Sequence, residues 1–287
     1  MEKETGMNGL ADTRQKEGNG FMVVYPVAKV RDIDFMGDAG KGKLQDWNSP
    51  GAGLTETLPG YDDVDYFKGM ISALEKNGSV AVDKDKMYLA GFSSGGEFSR
   101  HLKGSIPNTF SGIASVHGTT LGTEARAESG NYAADISILS SHDDMLPASG
   151  GRGLMTLPFS RVADSEPTKQ VSLAAEENNC SGLPTVTHEG KFVVTEYKAS
   201  QCNGYPVKEF FLAGDWRAGK AGGIIGRSSF GPAQHAWDGT GEGGWPVLGE
   251  KNRSVETSQL VVDELFKYSR NQKPQSFQSK LFFEKKF

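Results

Sequence analysis

A serine inside a short glycine-rich run is the feature of this 287-residue chain that most directly indicates chemistry. Residues 91–96 read GFSSGG, which places Ser93 in a G-x-S-x-G pattern. This pattern is typical of a nucleophile elbow when a strand precedes it and a helix follows it. Residues 86–90 (KMYLA) have the apolar character of a strand, and residues 97–102 (EFSRHL) have the spacing of a short helix. The flanking segments therefore favour a nucleophilic serine over a glycine-rich loop without chemistry.

A serine hydroxyl is a weak nucleophile until a histidine takes its proton and an acid orients that histidine. Proteins with this elbow carry the acid and then the histidine after the serine in the chain. This order favours His235, which lies in a glycine-rich region after the last predicted core strand and before the last predicted helix. His101, His117 and His188 are interpreted as structural or surface residues.

Two adjacent carboxylates are candidates for the acid. Asp143 and Asp144 follow a short apolar run at residues 136–139 that is typical of a buried strand. Open α/β sheets bind ligands beyond the carboxyl ends of their strands, so either carboxylate could orient the histidine. A solvated turn is the competing interpretation. His142 beside them does not predict a metal site, because adjacent side chains point apart and no second cluster has ligand spacing.

The composition excludes several classes of partner. The formal net charge of −5 and the isoelectric point near 5.6 leave no surplus of cations for nucleic acid. Residues 1–6 (MEKETG) have no apolar signal core, and no apolar run has the length of a membrane span. We therefore expect neither nucleic acid nor a membrane as a partner.

The chain has two cysteines, Cys180 and Cys202. Buried free thiols and one disulfide are the two interpretations, and the spacing does not decide between them. Both cysteines lie in polar, turn-rich surroundings (NNCSG and SQCNG), which favours a disulfide and with it an oxidising compartment.

The wider pattern alternates strands with helices and predicts a mainly parallel sheet with helices on both faces. Apolar runs predict strands at residues 20–27, 86–90, 110–116, 136–139, 192–197 and 207–212. Periodic spacing predicts helices at residues 61–77, 97–102, 166–177 and from 254 or 257 to about 271. Residues 30–60 and 213–254 are expected to be long loops. We expect one domain at residues 1–272 and a tail at 273–287.

Two further glycine patterns do not predict a nucleotide site. Residues 37–43 (GDAGKGK) resemble a phosphate loop, but Leu44 replaces the Ser or Thr that would hold magnesium. Residues 239–244 (GTGEGG) match G-x-G-x-x-G without the required strand and helix around them. We expect no cofactor.

As an ordered set, the motifs resemble the esterases grouped with polyhydroxybutyrate depolymerases and feruloyl esterases, which have the α/β-hydrolase fold. The similar segments are the elbow, residues 61–67 (YDDVDYF), 82–88 (VDKDKMY), 143–151 (DDMLPASGG), 179–202 and 234–239 (QHAWDG). The resemblance spans about residues 5–270. It implies a serine carboxylic ester hydrolase that acts without a cofactor on feruloyl or acetyl esters of plant polysaccharide, or on a polyester.

The resemblance also implies roles for individual residues. Ser93 would be the nucleophile and His235 the general base. The family's catalytic Asp stands four positions before a proline, so counting back from Pro147 selects Asp143. The Cys180–Cys202 block resembles a disulfide-bearing stretch of the same family, which implies a secreted or periplasmic protein.

The substrate site follows from the same likeness. The backbone N–H of Ser94 would donate to the oxyanion. Phe92 and Trp237 are the candidate substrate-binding residues.

The chain departs from the family in two places. Residues 213–233 resemble an insertion, and the family's earlier strands and the His-Gly loop that lends an oxyanion donor have no counterpart. We therefore expect the strand near Phe21 to pair directly with Met87 to Ala90, or with another copy of the chain. The competing function is a catalytically weak, truncated hydrolase-like domain that binds glycan or polymer or needs a partner chain.

Overall fold

The computed structural model describes residues 2–34, 41–48, 62–118, 131–141, 143, 167–212, 237–239 and 255–271. The helices in these ranges are α1 (Glu2–Thr5), α2 (Met7–Lys16), α3 (Asp63–Lys76), α4 (Ser94–Ser105), α5 (Pro167–Glu177) and α6 (Thr257–Leu265). The strands are β1 (Val30–Asp34), β2 (Lys41–Gln45), β3 (Tyr88–Phe92), β4 (Gly112–Val116), β5 (Ala134–Ser140), β6 (Thr185–Glu189), β7 (Phe192–Tyr197) and β8 (Val207–Leu212).

The central element is a six-stranded mixed sheet with the strand order β3-β4-β5-β8-β7-β6. Strands β3, β4, β5 and β8 run parallel, and β7 and β6 pair antiparallel at the far side. The register places Phe92 beside Val116, and Val116 beside Ile138. The residues that follow β3, β4 and β5 therefore meet at one edge of the sheet.

Alternating residues of the central strands face two different helical layers. On one face, α6 packs with strand residues in a cluster that contains Ala114, Val116, Ile136, Ile138, Phe210, Val261, Val262 and Leu265. On the other face, Phe67 of α3 and Phe98 and Leu102 of α4 form a second cluster with Leu89 of β3. The predicted α/β class, with a mostly parallel sheet and helices on both faces, is confirmed.

Helix α3 shows how local sequence sets one of these layers. Its apolar residues recur every three or four positions, so one side of the helix buries Phe67. The Asp62 side chain accepts a hydrogen bond from the Asp65 N–H and caps the helix start. The predicted helix at 61–77 is thus confirmed within two residues.

The prediction of a buried strand at residues 20–27 is wrong. The segment has no ladder pairing within the described residues, where β3 pairs with β4 alone. Phe21 and Val23 pack against the core, and the Phe21 ring meets Phe266 edge-on at 5.1 Å. Met22 and Val24 point into solvent. The expected pairing with β3 is absent here, and self-association near Phe21 stays a prediction.

The long loop predicted at residues 30–60 contains a hairpin instead. Strands β1 and β2 pair antiparallel, with Val30 opposite Gln45 and Asp34 opposite Lys41. The phosphate-loop resemblance at residues 37–43 therefore overlaps a strand, not the start of a helix. His188, predicted in a turn, lies in β6 just before the turn at Gly190.

A disulfide joins Cys180 and Cys202, as the polar surroundings predict. It ties the end of α5 to the short helix Ala199–Gln201 that leads into β8. Disulfides persist in oxidising compartments, so the bond indicates a location outside the cytoplasm.

A buried ion network attaches α4 to the sheet. Arg100 donates to the Asp135 carboxylate at 3.0 Å, to the Ser137 hydroxyl at 2.7 Å and to the Gln170 amide oxygen at 2.9 Å. Lys103 lies 3.4 Å from the same carboxylate. Burial alone would raise the pKa of Asp135, but Arg100 and Lys103 outweigh it and hold that pKa below its usual range. The network thus fixes the helix that begins at the elbow.

Replacing Asp135 by Asn should therefore destabilise the protein strongly. The change removes a charged partner of buried Arg100 and one of the two carboxylates beside buried Lys103, and such a loss costs about 3–5 kcal/mol of unfolding free energy. Urea denaturation measures the effect. Glu75→Gln, which removes an ion pair with Lys84 at the surface, is the matched control and should cost no more than about 1 kcal/mol. Equal costs for the two substitutions would contradict the role given to Asp135.

Candidate active site

Ser93 occupies a sharp turn between β3 and α4. Its backbone has φ 54° and ψ −124°, a conformation that non-glycine residues adopt at a cost of about 1–3 kcal/mol. The Ser93 N–H donates to the Val116 carbonyl at 2.9 Å, and the Ser93 carbonyl accepts from the Gly96 N–H at 2.8 Å. Both ends of the turn are therefore held, and the strain is typical of a nucleophile elbow.

Two glycines make this turn sterically possible. A Cβ on Gly91 would lie 2.0 Å from the Gly95 carbonyl oxygen, and a Cβ on Gly96 would lie 2.5 Å from the Ser115 hydroxyl. Gly95, which belongs to the motif, has room for a side chain, since its nearest neighbour would be the Trp47 ring at 4.0 Å. The close approach of β3 to α4 thus depends on Gly91 and Gly96.

Ser94 begins α4 and lies beside the nucleophile. The first N–H groups of a helix have no intrahelical acceptor and form the positive end of its dipole. The Ser94 hydroxyl donates to Asp46 Oδ1 at 2.7 Å. The start of α4 therefore has the electrostatic character that stabilises an anion, and a carboxylate holds its first side chain.

Asp143 lies just beyond β5 and is buried together with a histidine. His117 Nδ1 lies 2.8 Å from Asp143 Oδ2, and each side chain is 2 % exposed. His117 follows β4 directly and has a φ of +49°, in the left-handed region. The Phe92 ring is 6.2 Å from the His117 ring. Sequence patterns gave no reason to pair these two residues, because they are 26 positions apart.

The carboxylates around His117 set its protonation. Burial alone lowers the pKa of His117, but the hydrogen bond and charge of Asp143 and the charge of Asp238 outweigh it and raise that pKa above its usual value. Asp238 is itself buried, and its carbonyl accepts from the Thr257 N–H at the start of α6. The carboxylates of Asp143 and Asp238 therefore favour the protonated form of His117.

Of the other predicted site residues, the structure describes Trp237 and Phe92. Trp237 is 2 % exposed, and its indole N–H donates to the Ser258 hydroxyl at 2.9 Å within the core. This packing favours a structural role for Trp237 over the predicted pocket wall. Phe92 is half-buried beside the elbow. His235 and Asp144 lie outside the described residues, so their roles stay predictions.

Within the described ranges, no group of three or more His, Cys, Asp or Glu side chains has an arrangement that could hold a metal ion. No helix in the described part of the chain combines the length and apolar character needed to cross a membrane.

A serine elbow at the carboxyl edge of a mostly parallel sheet, with helices on both faces, defines the α/β-hydrolase fold. No family model matches the chain. A protein of Nocardia uniformis subsp. tsuyamanensis, described as "Putative esterase NocK", is 29% identical to it over 178 residues. The match covers 61% of this chain and 44% of that protein, so the chain spans less than half the length of this relative.

The His117–Asp143 pair predicts a pH dependence of stability. Folding raises the pKa of His117. Its contribution to the unfolding free energy is therefore complete below the pKa of the unfolded state, about 6.5, and is lost as the pH rises through the pKa of the folded state. Urea denaturation should show the unfolding free energy of the parent falling more between acidic and alkaline pH than that of His117→Gln. His188→Gln, on the exposed strand β6, is the control and should follow the parent. Identical pH profiles for the parent and His117→Gln would contradict the assigned pair.

Proposed function

We propose that the chain is a serine carboxylic ester hydrolase with Ser93 as its nucleophile. The observation that carries the proposal is the strained elbow at Ser93, held between β3 and α4 by two backbone hydrogen bonds. Such strain costs free energy, and strained backbone of this kind clusters at functional sites. A buried carboxylate, Asp143, follows β5, which is separated from β3 by β4 in the same sheet, and it supports the assignment.

In the proposed mechanism, Ser93 Oγ attacks the ester carbonyl while His235 takes the hydroxyl proton. The tetrahedral oxyanion lies against the N–H of Ser94 at the positive end of α4. His235 then protonates the leaving alcohol, and an acyl-enzyme remains on Ser93. Water, activated by the same histidine, releases the acid and restores the serine. Asp143 orients the imidazole and stabilises its charged form.

His117 has a separate place in this proposal. His117 Nδ1 lies within hydrogen-bond distance of one carboxylate oxygen of Asp143. In the chain, His117 directly follows Val116, whose carbonyl accepts the hydrogen bond from the Ser93 N–H. We assign it to hold the acid in place. The alternative is that His117 is itself the base, since it lies at the same edge of the sheet as Ser93.

The relative from Nocardia uniformis supports the general activity, because it is described as a "Putative esterase". The substrate class rests on the resemblance of the motifs to feruloyl esterases and polyhydroxybutyrate depolymerases. We propose feruloyl or acetyl esters of plant polysaccharide, or a polyester, as substrates, with no cofactor. The Cys180–Cys202 disulfide supports a secreted or periplasmic location.

Replacing Ser93 by Ala should reduce the turnover of p-nitrophenyl acetate by about 10⁴ to 10⁶, the range of triad nucleophiles. Ser105→Ala, at the far end of the same helix, is the matched control and should keep the parental rate. Steady-state kinetics on purified chains measures both. Activity of Ser93→Ala within tenfold of the parent contradicts the proposal and favours the binding-domain alternative.

Parallel substitutions decide which histidine and which acid act. His235→Ala should lose as much turnover as Ser93→Ala, because triad residues act as a unit. His117→Ala should lose less, because it removes a support of Asp143 and leaves the proposed base. Asp143→Asn should lose more than Asp144→Asn, since one carboxylate sets the histidine tautomer. Full loss in His117→Ala with an active His235→Ala would reassign the base to His117.

A further inference from the structure

A three-residue segment after β2 contacts the first turn of the elbow helix. Asp46 Oδ1 accepts the hydrogen bond of the Ser94 hydroxyl at 2.7 Å. The Trp47 ring stacks on the Phe98 ring of α4, with centroids 5.1 Å apart and an interplanar angle of 3°. The indole nitrogen lies 4.0 Å from the place that a Cβ on Gly95 would take. The segment therefore covers α4 immediately after the nucleophile.

The same segment is fixed to a second helix. The Asn48 N–H donates to Asp63 Oδ2 at 2.6 Å, and Asp63 is the buried first residue of α3. The Trp47 ring also meets the Phe67 ring of α3 edge-on at 5.5 Å. Asp46 is thus held by a segment that two helices anchor, so its carboxylate has a defined position beside the elbow.

Two backbone N–H groups of this segment donate hydrogen bonds to carboxylates. The Trp47 N–H donates to Asp46 Oδ1 at 2.8 Å, and the Asn48 N–H donates to Asp63. These two N–H groups therefore point at acids and not at a developing oxyanion. The Ser94 hydroxyl makes a polar contact between this segment and the elbow.

Anchoring Ser94 has a consequence for catalysis. Ser93 makes no side-chain capping bond to α4, so the bond between Ser94 and Asp46 is a side-chain restraint on the first turn of this helix. A carboxylate near the positive end of a helix is also electrostatically favourable. An oxyanion donor works only when its N–H is already aimed at the position of the transition-state charge.

We propose that Asp46 is a positioning residue that fixes the Ser94 peptide as an oxyanion donor. This inference rests on the proposed function. It assigns to the segment Asp46–Asn48 the task of holding the oxyanion site, through the bond from the Ser94 hydroxyl to the Asp46 carboxylate. Asp46 itself does not touch the substrate.

The test compares variants at both ends of this bond. Ser94→Ala and Asp46→Ala each remove it, whereas Ser94→Thr keeps the hydroxyl and Asp46→Asn keeps an acceptor oxygen. Asp12→Ala, an exposed aspartate on α2, is the control. The kcat and KM for p-nitrophenyl acetate are measured, and active sites are counted by titration with a p-nitrophenyl phosphonate.

We expect kcat per titrated site to fall by about 10- to 100-fold in Ser94→Ala and Asp46→Ala, the cost of a small misplacement of a catalytic group. The KM should stay within about threefold of the parent, because the bond acts in the transition state. The two conservative variants should recover most of the loss. The double Ala variant should be no slower than either single one, because both remove the same bond.

Different failures have different meanings. Parental kcat per titrated site in Ser94→Ala and Asp46→Ala overturns the inference and leaves the proposed function intact. A lower titratable fraction with unchanged kcat per site indicates a merely structural role and also overturns it. A parent without Ser93-dependent turnover contradicts the proposed function, and the inference fails with it.

Discussion

The close approach of β3 to α4 is the constraint on which the site depends. Side chains at Gly91 and Gly96 would collide with the Gly95 carbonyl and with Ser115, so this approach requires glycine at both positions. The approach holds Ser93 in a positive-φ turn, and the Ser93 N–H bonds to Val116 on the neighbouring strand. The free energy stored in this strain is balanced by packing elsewhere, chiefly by α4 against the sheet.

Pairs of acidic and basic side chains support this geometry at both ends of β5. Below the elbow helix, Arg100 and Lys103 share the buried Asp135 carboxylate at the start of β5. The same strand leads to Asp143, and His117 Nδ1 lies 2.8 Å from its carboxylate. A single strand therefore carries a structural carboxylate at one end and the proposed catalytic carboxylate at the other. Asp135 and Asp143 thus each have a basic side chain as a partner, and such pairing lowers the cost of burying a carboxylate.

The elements that carry strong periodicity were predictable from the sequence, whereas contacts between distant residues were not. The α3 spacing and the apolar strands β7 and β8 gave the correct element type and nearly correct bounds. The β1–β2 hairpin does not follow from the sequence, because residues 30–60 as a whole hold many Gly, Asp, Asn and Pro and suggest a loop. Residues 20–27 were mistaken for a strand because an apolar run alone does not show whether a ladder partner exists. His117 and Asp143 are separated by 26 positions in the sequence, and Asp46 and Ser94 by 48. No local pattern encodes the bonds between them.

Covalent labelling tests the central claim that Ser93 is an activated nucleophile. The chain is treated with an uncharged fluorophosphonate, digested, and mapped by peptide mass spectrometry. The account predicts a single adduct, on the peptide that contains Ser93, and no adduct after Ser93→Ala or after prior unfolding in urea. A native chain that hydrolyses esters while its adduct lies on another residue, or while Ser93 stays unmodified, would contradict the account.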